Sequence, residues 1–298
     1  MFVSEDRMTP FFSIIIPTYN RAQLLKSSLK SVINQTFSNF EVLVVDDHST
    51  DETRSVVASL KDARIEYILN DRPRGGAGTR NSGIFRARGE WVAFLDDDDV
   101  WMPNKLELQY KRTTEIGDSV GLIYSGFIGY DFKGREKVFL PRKEELSWND
   151  LFYRNYIGTY STVAIRTKLL RGLGGLDERF PAVQDRELYV RVCRVSEVAC
   201  INEVLAKFSM SDQNRISSNY HKRLVGNLLF RTKYQELIKQ NYRLRHIWAA
   251  RIFLYATLQK DMKQILNSLP WTLAGLFLDP PHLYKIIRRL VVLCVNHA

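Results

Sequence analysis

The chain of 298 residues is short of several things, and each shortage excludes a class of protein. There are three cysteines, Cys193, Cys200 and Cys294, and none forms a CxxC pair. An odd count without metal-like spacing excludes a disulfide scaffold or a zinc knuckle and points to reduced thiols in a reducing compartment. The five histidines, His48 and His221 among them, lack the spacing of a metal site. No apolar run reaches the roughly 20 residues a bilayer-spanning helix needs. Met1 to Pro10 is charged and carries no long apolar stretch, so it does not read as a signal peptide. No P-loop, GxSxG, internal repeat or low-complexity tract is present, and Gly75-Gly76-Ala77-Gly78 is not a GxGxxG fingerprint.

What is present is an uneven charge distribution. The formal net charge is +10, yet residues 221–298 hold 13 Lys/Arg against 3 Asp/Glu, which leaves the first 220 residues with 30 of each. The basic excess lies wholly in the tail and implies a functional division along the chain. The apolar content is ordinary for a globular protein, so a sizeable core is available.

The first hundred residues alternate strand and helix patterns. Phe11 to Ile16 is an apolar β-rich run stopped by Pro17, Phe40 to Val45 is a second that ends at Asp46-Asp47, Arg64 to Leu69 a weaker third, and Trp91 to Leu95 a fourth. Helical spacing runs from Arg21 to Asn34, from about Glu52 to Leu60 behind an N-cap at Ser49-Thr50-Asp51, and from about Thr79 to Arg88. Arg72 to Gly78 reads as a flexible loop. This alternation predicts a mostly parallel α/β sheet. Further on, Val120 to Tyr130 and Arg135 to Phe139 read as a hairpin, Thr162 to Ile165 as a strand and Asp185 to Cys193 as a helix.

In open α/β sheets ligands bind beyond the carboxyl ends of the strands. Asp46-Asp47 and the four carboxylates Asp96 to Asp99 therefore converge on one crevice. Adjacent like charges are unfavourable unless a cation holds them, and oxygen ligands suit a hard divalent ion, Mn²⁺ or Mg²⁺, shared with a substrate phosphate.

These residues resemble a known family. Ile16-Pro17-Thr18-Tyr19-Asn20-Arg21, Gln35-Thr36-Phe37, Val44 to Asp51, Gly78-Thr79-Arg80-Asn81-Ser82-Gly83 and Leu95 to Asp99 are similar, in order and spacing, to the opening of family 2 glycosyltransferases. The likeness covers roughly residues 11–215. It implies a GT-A fold, which is a Rossmann-like nucleotide-binding sheet, here with a C-terminal helical extension. It also implies a nucleoside-diphosphate sugar as donor, UDP-sugar favoured, a divalent cation, and inversion at the anomeric carbon.

By that resemblance Asp47 contacts the base, with one of Asp46 and Asp47 capping the following helix. Pro17, Thr18 and Tyr19 line the nucleotide, Asp98 is the metal ligand, and Asp96 or Asp97 faces the ribose. Asp99 solvates or caps the helix after Pro103. Arg80, with Arg72 and Arg74, is a candidate for the diphosphate, since guanidinium matches phosphate geometry. Leu173-Gly174-Gly175-Leu176-Asp177-Glu178 followed by Gln184-Asp185 resembles the family's second signature, which makes Asp185 the catalytic base. Gln184 departs from the acidic residue common at its position.

The expected organisation is a glycosyltransferase domain at 1–220, with a nucleotide-sugar half at 11–100 and an acceptor half at 101–220. A basic helical region follows at 221–298. Within it, His282 to Val295 mixes Lys285, Arg288 and Arg289 with apolar residues, the pattern of an interfacial membrane segment. The acceptor is then a glycan or a lipid-linked glycan, and the location cytoplasmic and peripheral on the inner membrane face. Nucleic acid is not an expected partner. Two other readings stand open: a sugar-phosphate nucleotidyltransferase, which also uses carboxylate-held Mg²⁺, and a non-catalytic basic protein that binds membrane or nucleic acid.

Overall fold

The computed structural model describes residues 9–130, 135–141, 146–208 and 219–278, without the side chains of 275–278. The amphipathic stretch 282–295 lies outside the described residues. Contacts divide the chain into two compact units: residues 1–178 with 188–211, and residues 179–187 with 212–298.

The first unit is built on a nine-stranded sheet. Its first half takes β1 (Phe12–Thr18), α1 (Ala22–Ile33), β2 (Phe40–Asp46), α2 (Thr53–Ser59), β3 (Ile65–Leu69), α3 (Gly76–Arg86) and β4 (Trp91–Phe94). Strands β3, β2, β1 and β4 lie side by side in that order and all parallel, as the alternation predicts. Every residue of β2 is buried, and Phe12 and Ile14 to Ile16 are fully buried, which is why these runs do not alternate polar and apolar. Burying each such side chain contributes about 1.5–3 kcal/mol.

The second half adds β5 (Val100–Trp101), α4 (Lys105–Glu115), β6 (Val120–Tyr130), β7 (Glu136–Phe139), α5 (Asp150–Tyr153), a 3₁₀ turn at Tyr160–Thr162, β8 (Val163–Arg166), α6 (Thr167–Gly172), α7 (Gln184–Cys193), whose first four residues are counted with the second unit, and β9 (Glu197–Lys207). Strand β8 joins β4 and β6 antiparallel, β6 runs parallel to β9, and β5 closes the far edge against β9. The β6–β7 hairpin forms as expected, pairing Phe127 with Phe139.

Several boundaries differ from the sequence reading. Strand β1 continues through Pro17 to Thr18. Its pairing with β4 has already ended at Ile15, so a proline with no N–H is tolerated there. The third helix starts at Gly76, three residues before the expected Thr79, so the last three residues of the expected flexible loop are helical. Helix α2 begins at Thr53, and its N-cap position, Glu52, makes no side-chain bond. Asp51 instead accepts from Thr53 N at 3.1 Å and from Ala22 N at 3.0 Å, serving the free N–H groups of two helices at once.

Helix α4 carries a fully buried lysine. Among the described residues Lys105 Nζ has no hydrogen-bond partner; it lies 4.9 Å from the Trp101 ring centroid, and the amide of Gln109 one turn on has no partner there either. Burial drives the Lys105 ammonium down to about 7. The unfolded chain keeps this proton up to about pH 10. Between those values the unfolded state binds more protons, so stability rises with pH. Lys105→Met is expected to be more stable than the parent at pH 7 and to flatten the rise towards pH 10, as read from urea midpoints at pH 7 and 9.

The second unit is helical: α8 (Tyr220–Lys233), α9 (Gln235–Gln240), α10 (Tyr242–Leu258) and α11 (Met262–Leu278). Helix α10 is buried on most sides, with Ile247, Trp248, Ala250 and Ile252 almost fully covered, so it forms the centre of this bundle. Phe230 of α8 stacks on Trp248 with ring centroids 4.4 Å apart. Among the described residues no helix is long and apolar enough to cross a membrane.

Candidate active site

Parallel strands end on one side, and the polar groups of the first unit gather there. In the β1–β2 register Thr18 lies opposite Asp46. The chain beyond β4 reaches the same level, and Thr18 Oγ1 donates to Asp97 at 2.8 Å.

The four consecutive carboxylates have four different environments. Asp96 is paired with Arg80, whose guanidinium also donates to the Gly76 carbonyl at 2.9 Å and lies 4.2 Å from the Tyr160 ring centroid. Asp97 is buried and takes Thr18 and Arg21 Nη1, the latter at 3.0 Å. Burial pushes its carboxyl up to about 6, although Arg21 and Thr18 pull the other way. Asp98 meets the same Arg21 nitrogen at 3.2 Å. Asp99 is buried and accepts from Ser161 Oγ at 2.6 Å, so it braces the turn and is not solvated. Ser28 Oγ, on α1, lies within hydrogen-bond distance of the carbonyls of both Asp97 and Asp99 and holds the turn from below.

Asp47 occupies the neighbouring corner. Its carboxylate accepts from Asn70 Nδ2 at 2.7 Å and from Gly75 N at 2.9 Å. A carboxylate has about four lone-pair sites, so acceptor capacity for a further N–H remains. Asp46 caps no helix. It accepts from Ser49 N and Oγ and from the Tyr67 hydroxyl, which closes the loop after β2.

The loop 70–75 is held by Asp47, and the two arginines expected at the diphosphate are engaged elsewhere. Arg72 pairs with Glu178 at 3.0 Å and lies over the Phe85 ring. Arg74 donates to the Asp47 carbonyl at 3.0 Å and lies 5.0 Å from the ring centroid of Tyr19, which is 48% exposed. Gly78 is required by this arrangement, since a Cβ there would come within 1.9 Å of the Pro73 carbonyl oxygen.

The two signatures joined by resemblance also meet in space. Asn81 on α3 exchanges both backbone hydrogen bonds with Leu176, at 2.8 and 2.9 Å, and donates to Glu178 at 2.7 Å. Gly175 allows this at a φ of +71°, and a Cβ there would lie 2.4 Å from Asn81 Oδ1. Gly175→Ala is expected to lower stability by about 2 kcal/mol, combining left-handed strain with the clash. Chemical denaturation checks it.

Asp185 belongs to the second unit. It is half-buried in the first turn of α7. Gln184 beside it is buried and turns its amide back to the Phe180 carbonyl at 2.7 Å, so the departure from an acidic residue is met by a local hydrogen bond. Glu187, one turn on, is committed to Lys233 at 2.7 Å.

Sequence reasoning missed Arg21, which bridges Asp97 and Asp98, and Ser28 and Ser161, which brace the acidic turn. The only signal for Arg21 is its place straight after Pro17-Thr18-Tyr19-Asn20 at the mouth of the crevice. The serines give none, because their partners are 62 to 71 residues away.

A polar crevice at the carboxyl edge of four parallel strands, followed by a second half of mixed strand direction, is the architecture of GT-A glycosyltransferases. The chain shares that fold with Staphylococcus aureus TarS 1–349 in complex with UDP-GlcNAc, at a TM-score of 0.59 and 18% identity over 82% of this chain and 80% of that one. It shares it too with the mannosyltransferase PcManGT of Pyrobaculum calidifontis in complex with GDP-Man and Mn²⁺, at 0.60 and 20% identity over 96% and 86%. Residues 13–174 match the family described as glycosyl transferase family 2, and the chain belongs to that family. It is also 35% identical over 217 residues to the UDP-Glc:α-D-GlcNAc-diphosphoundecaprenol β-1,3-glucosyltransferase WfgD of Escherichia coli, covering 71% of this chain and 81% of that protein.

Proposed function

We propose that the protein is an inverting, metal-dependent glycosyltransferase. It moves a sugar from a UDP-sugar to a hydroxyl of a sugar carried on a lipid diphosphate, in the assembly of a bacterial surface polysaccharide. The observation that carries this reading is the acidic turn Asp96 to Asp98, set beside Asp47 at the ends of β1, β2 and β4. The 35% identical relative supports the choice of donor and acceptor, since its name gives UDP-Glc and a diphosphoundecaprenol-linked sugar.

The donor set fits a divalent ion of a particular kind. Among the described residues no group of three carboxylates, histidines or cysteines is placed to cage a metal. The acidic turn offers carboxylate oxygens, the chemistry a hard divalent ion takes, and each is engaged: Asp96 by Arg80, Asp97 by Thr18 and Arg21, and Asp98 by Arg21. By the family resemblance Asp98, which here meets Arg21, would exchange that contact for Mn²⁺ or Mg²⁺, and phosphates of the sugar donor would supply further ligands, as is usual for Mg²⁺. When bound, such an ion neutralises the nucleoside diphosphate as it leaves.

The chain's own residues do the rest. Asp47 receives the imide N–H of the uracil, and Pro17, Thr18 and Tyr19 line the base and ribose with Asp96 or Asp97. Arg80 holds Asp96 in place. Asp185 takes the proton from the acceptor hydroxyl as that oxygen attacks the anomeric carbon opposite the leaving diphosphate. One displacement inverts the configuration and needs no covalent nucleophile. In the proposed division, residues 11–100 bind the donor, 101–220 the acceptor, and 221–298 supply the basic helical region.

Contact with the membrane surface is part of the reading. Met262, Leu266 and Leu273 are exposed at 61%, 62% and 48%, and their spacing puts them on one face of α11. Residues 219–278 carry 10 Lys/Arg against 2 Asp/Glu. A basic helical bundle with an apolar stripe suits an anionic bilayer surface.

The deciding experiment incubates the full-length protein with UDP-glucose, Mn²⁺ and a GlcNAc-diphosphate-lipid. Transfer with a β-linked product is the expected result. Transfer from no nucleotide sugar, or pyrophosphate release from a nucleoside triphosphate, would refute the reading.

A further inference from the structure

Arg186 and Arg223 are half-buried cations of the second unit, and among the described residues neither forms an ion pair. Arg186 follows Asp185 in the first turn of α7, and its guanidinium lies 5.8 Å from the ring centroid of Trp248. Arg251, on α10, lies 4.6 Å from the same ring, so two guanidiniums share one indole. Arg223, on α8, lies 5.4 Å from the ring centroid of Tyr255, also on α10.

Arg186 and Arg223 are close enough to act on one another. Burial and the neighbouring Arg223 charge hold the Arg186 guanidinium below its usual range, and of the carboxylates only Asp185 acts against them. The one other acid of this turn, Glu187, is occupied by Lys233 and by the Tyr234 hydroxyl at 3.2 Å. Desolvated like charges are unfavourable unless an anion compensates them. A planar guanidinium fork matches phosphate oxygens in pairs, and an aromatic face beneath it fixes its orientation. The ring of Trp248 is fully buried and stacked on Phe230, so it forms a rigid floor. Beside the cations lies an apolar cluster of Leu224, Ile252 and Ala256.

We propose that Arg186, Arg223 and Arg251, gathered over Trp248 and Tyr255 beside Asp185, form the subsite for the diphosphate that joins the acceptor sugar to its lipid. This deepens the functional reading above and rests on it. A diphosphate held next to the base places the sugar it carries within a bond or two of Asp185. Recognition is then set by the phosphates as much as by the sugar.

The test uses the full-length protein and two acceptors with the same sugar, one on a prenyl diphosphate and one on a phosphate-free alkyl chain. The readout is the ratio of kcat/KM for the first over the second. Arg223→Gln and Arg186→Gln are each expected to lower this ratio at least tenfold, through KM of the diphosphate acceptor, with part of it restored in Arg223→Lys. Stabilisation by UDP, unchanged in these variants, reports an intact fold. A ratio unchanged in both, or an equal loss on the two acceptors, overturns the proposal. So does an unchanged ratio with weaker binding to phosphatidylglycerol vesicles, which assigns the arginines to the bilayer. If the parent protein transfers sugar to neither acceptor, the functional reading fails on its own. The subsite is then judged by calorimetry with a short prenyl diphosphate: binding that weakens tenfold in Arg223→Gln keeps it, and no binding to the parent overturns it.

Discussion

Replacing Asp98 with alanine is expected to abolish the metal-dependent part of the stabilisation by UDP and to lower sugar transfer about a thousandfold. The effect is large because, in the proposed reaction, the leaving group is a nucleoside diphosphate whose charge has to be met at the moment the sugar departs. Asp96 cannot take over, because Arg80 holds it, and Asp97 is turned to Thr18. The fold is expected to survive the change. Arg21 keeps its contact with Asp97 at 3.0 Å, and the turn remains braced by Ser28 and by Ser161 on Asp99. The measurement is a melting curve with UDP, with and without Mn²⁺. A ligand at a hundredfold its dissociation constant adds about 2.7 kcal/mol. Retention of the full Mn²⁺-dependent shift in Asp98→Ala would remove Asp98 from the metal site.

The second large effect is expected at Asp185. Asparagine keeps its shape and loses the basic oxygen, so kcat is expected to fall about a thousandfold, within the range of a lost general base. Binding of UDP with Mn²⁺ is expected to stay unchanged, which separates this variant from Asp98→Ala. Gln184→Ala offers the contrast. Its amide secures the Phe180 carbonyl, so that change acts on local stability first. Transfer by Asp185→Asn within threefold of the parent would place the base elsewhere.

Much of the parallel first half is legible in the residues alone. Strands β1, β2 and β4 are short, bounded and almost wholly apolar, and parallel strands buried on both faces leave that mark in a single segment. The glycines of α3 signal a close approach, and Gly78 is pressed against the Pro73 carbonyl. Asp47 and the acidic run stand at strand ends, where ligands bind in such sheets.

The roles within the acidic run are another matter. The sequence shows four equal aspartates, and their partners come from residues 18, 21, 80 and 161, on separate elements. For this reason Asp99, expected to solvate or cap, is a buried brace. Arg72 and Arg74 look free in the sequence because nothing near them pairs with them, yet Glu178 and the Asp47 carbonyl do.

By itself, then, the sequence determined the alternation of strand and helix, the parallel sheet of the first half, the place of the carboxylates at strand ends and the basic character of the tail. All of these depend on residue type and on spacings of a few residues. Only the tertiary structure decided which carboxylate faces which cation, that Arg21 bridges Asp97 and Asp98, and that Arg186 and Arg251 share the ring of Trp248. The reason is physical. A charge takes the environment of whatever folds against it, and those neighbours come from elements far apart in the chain.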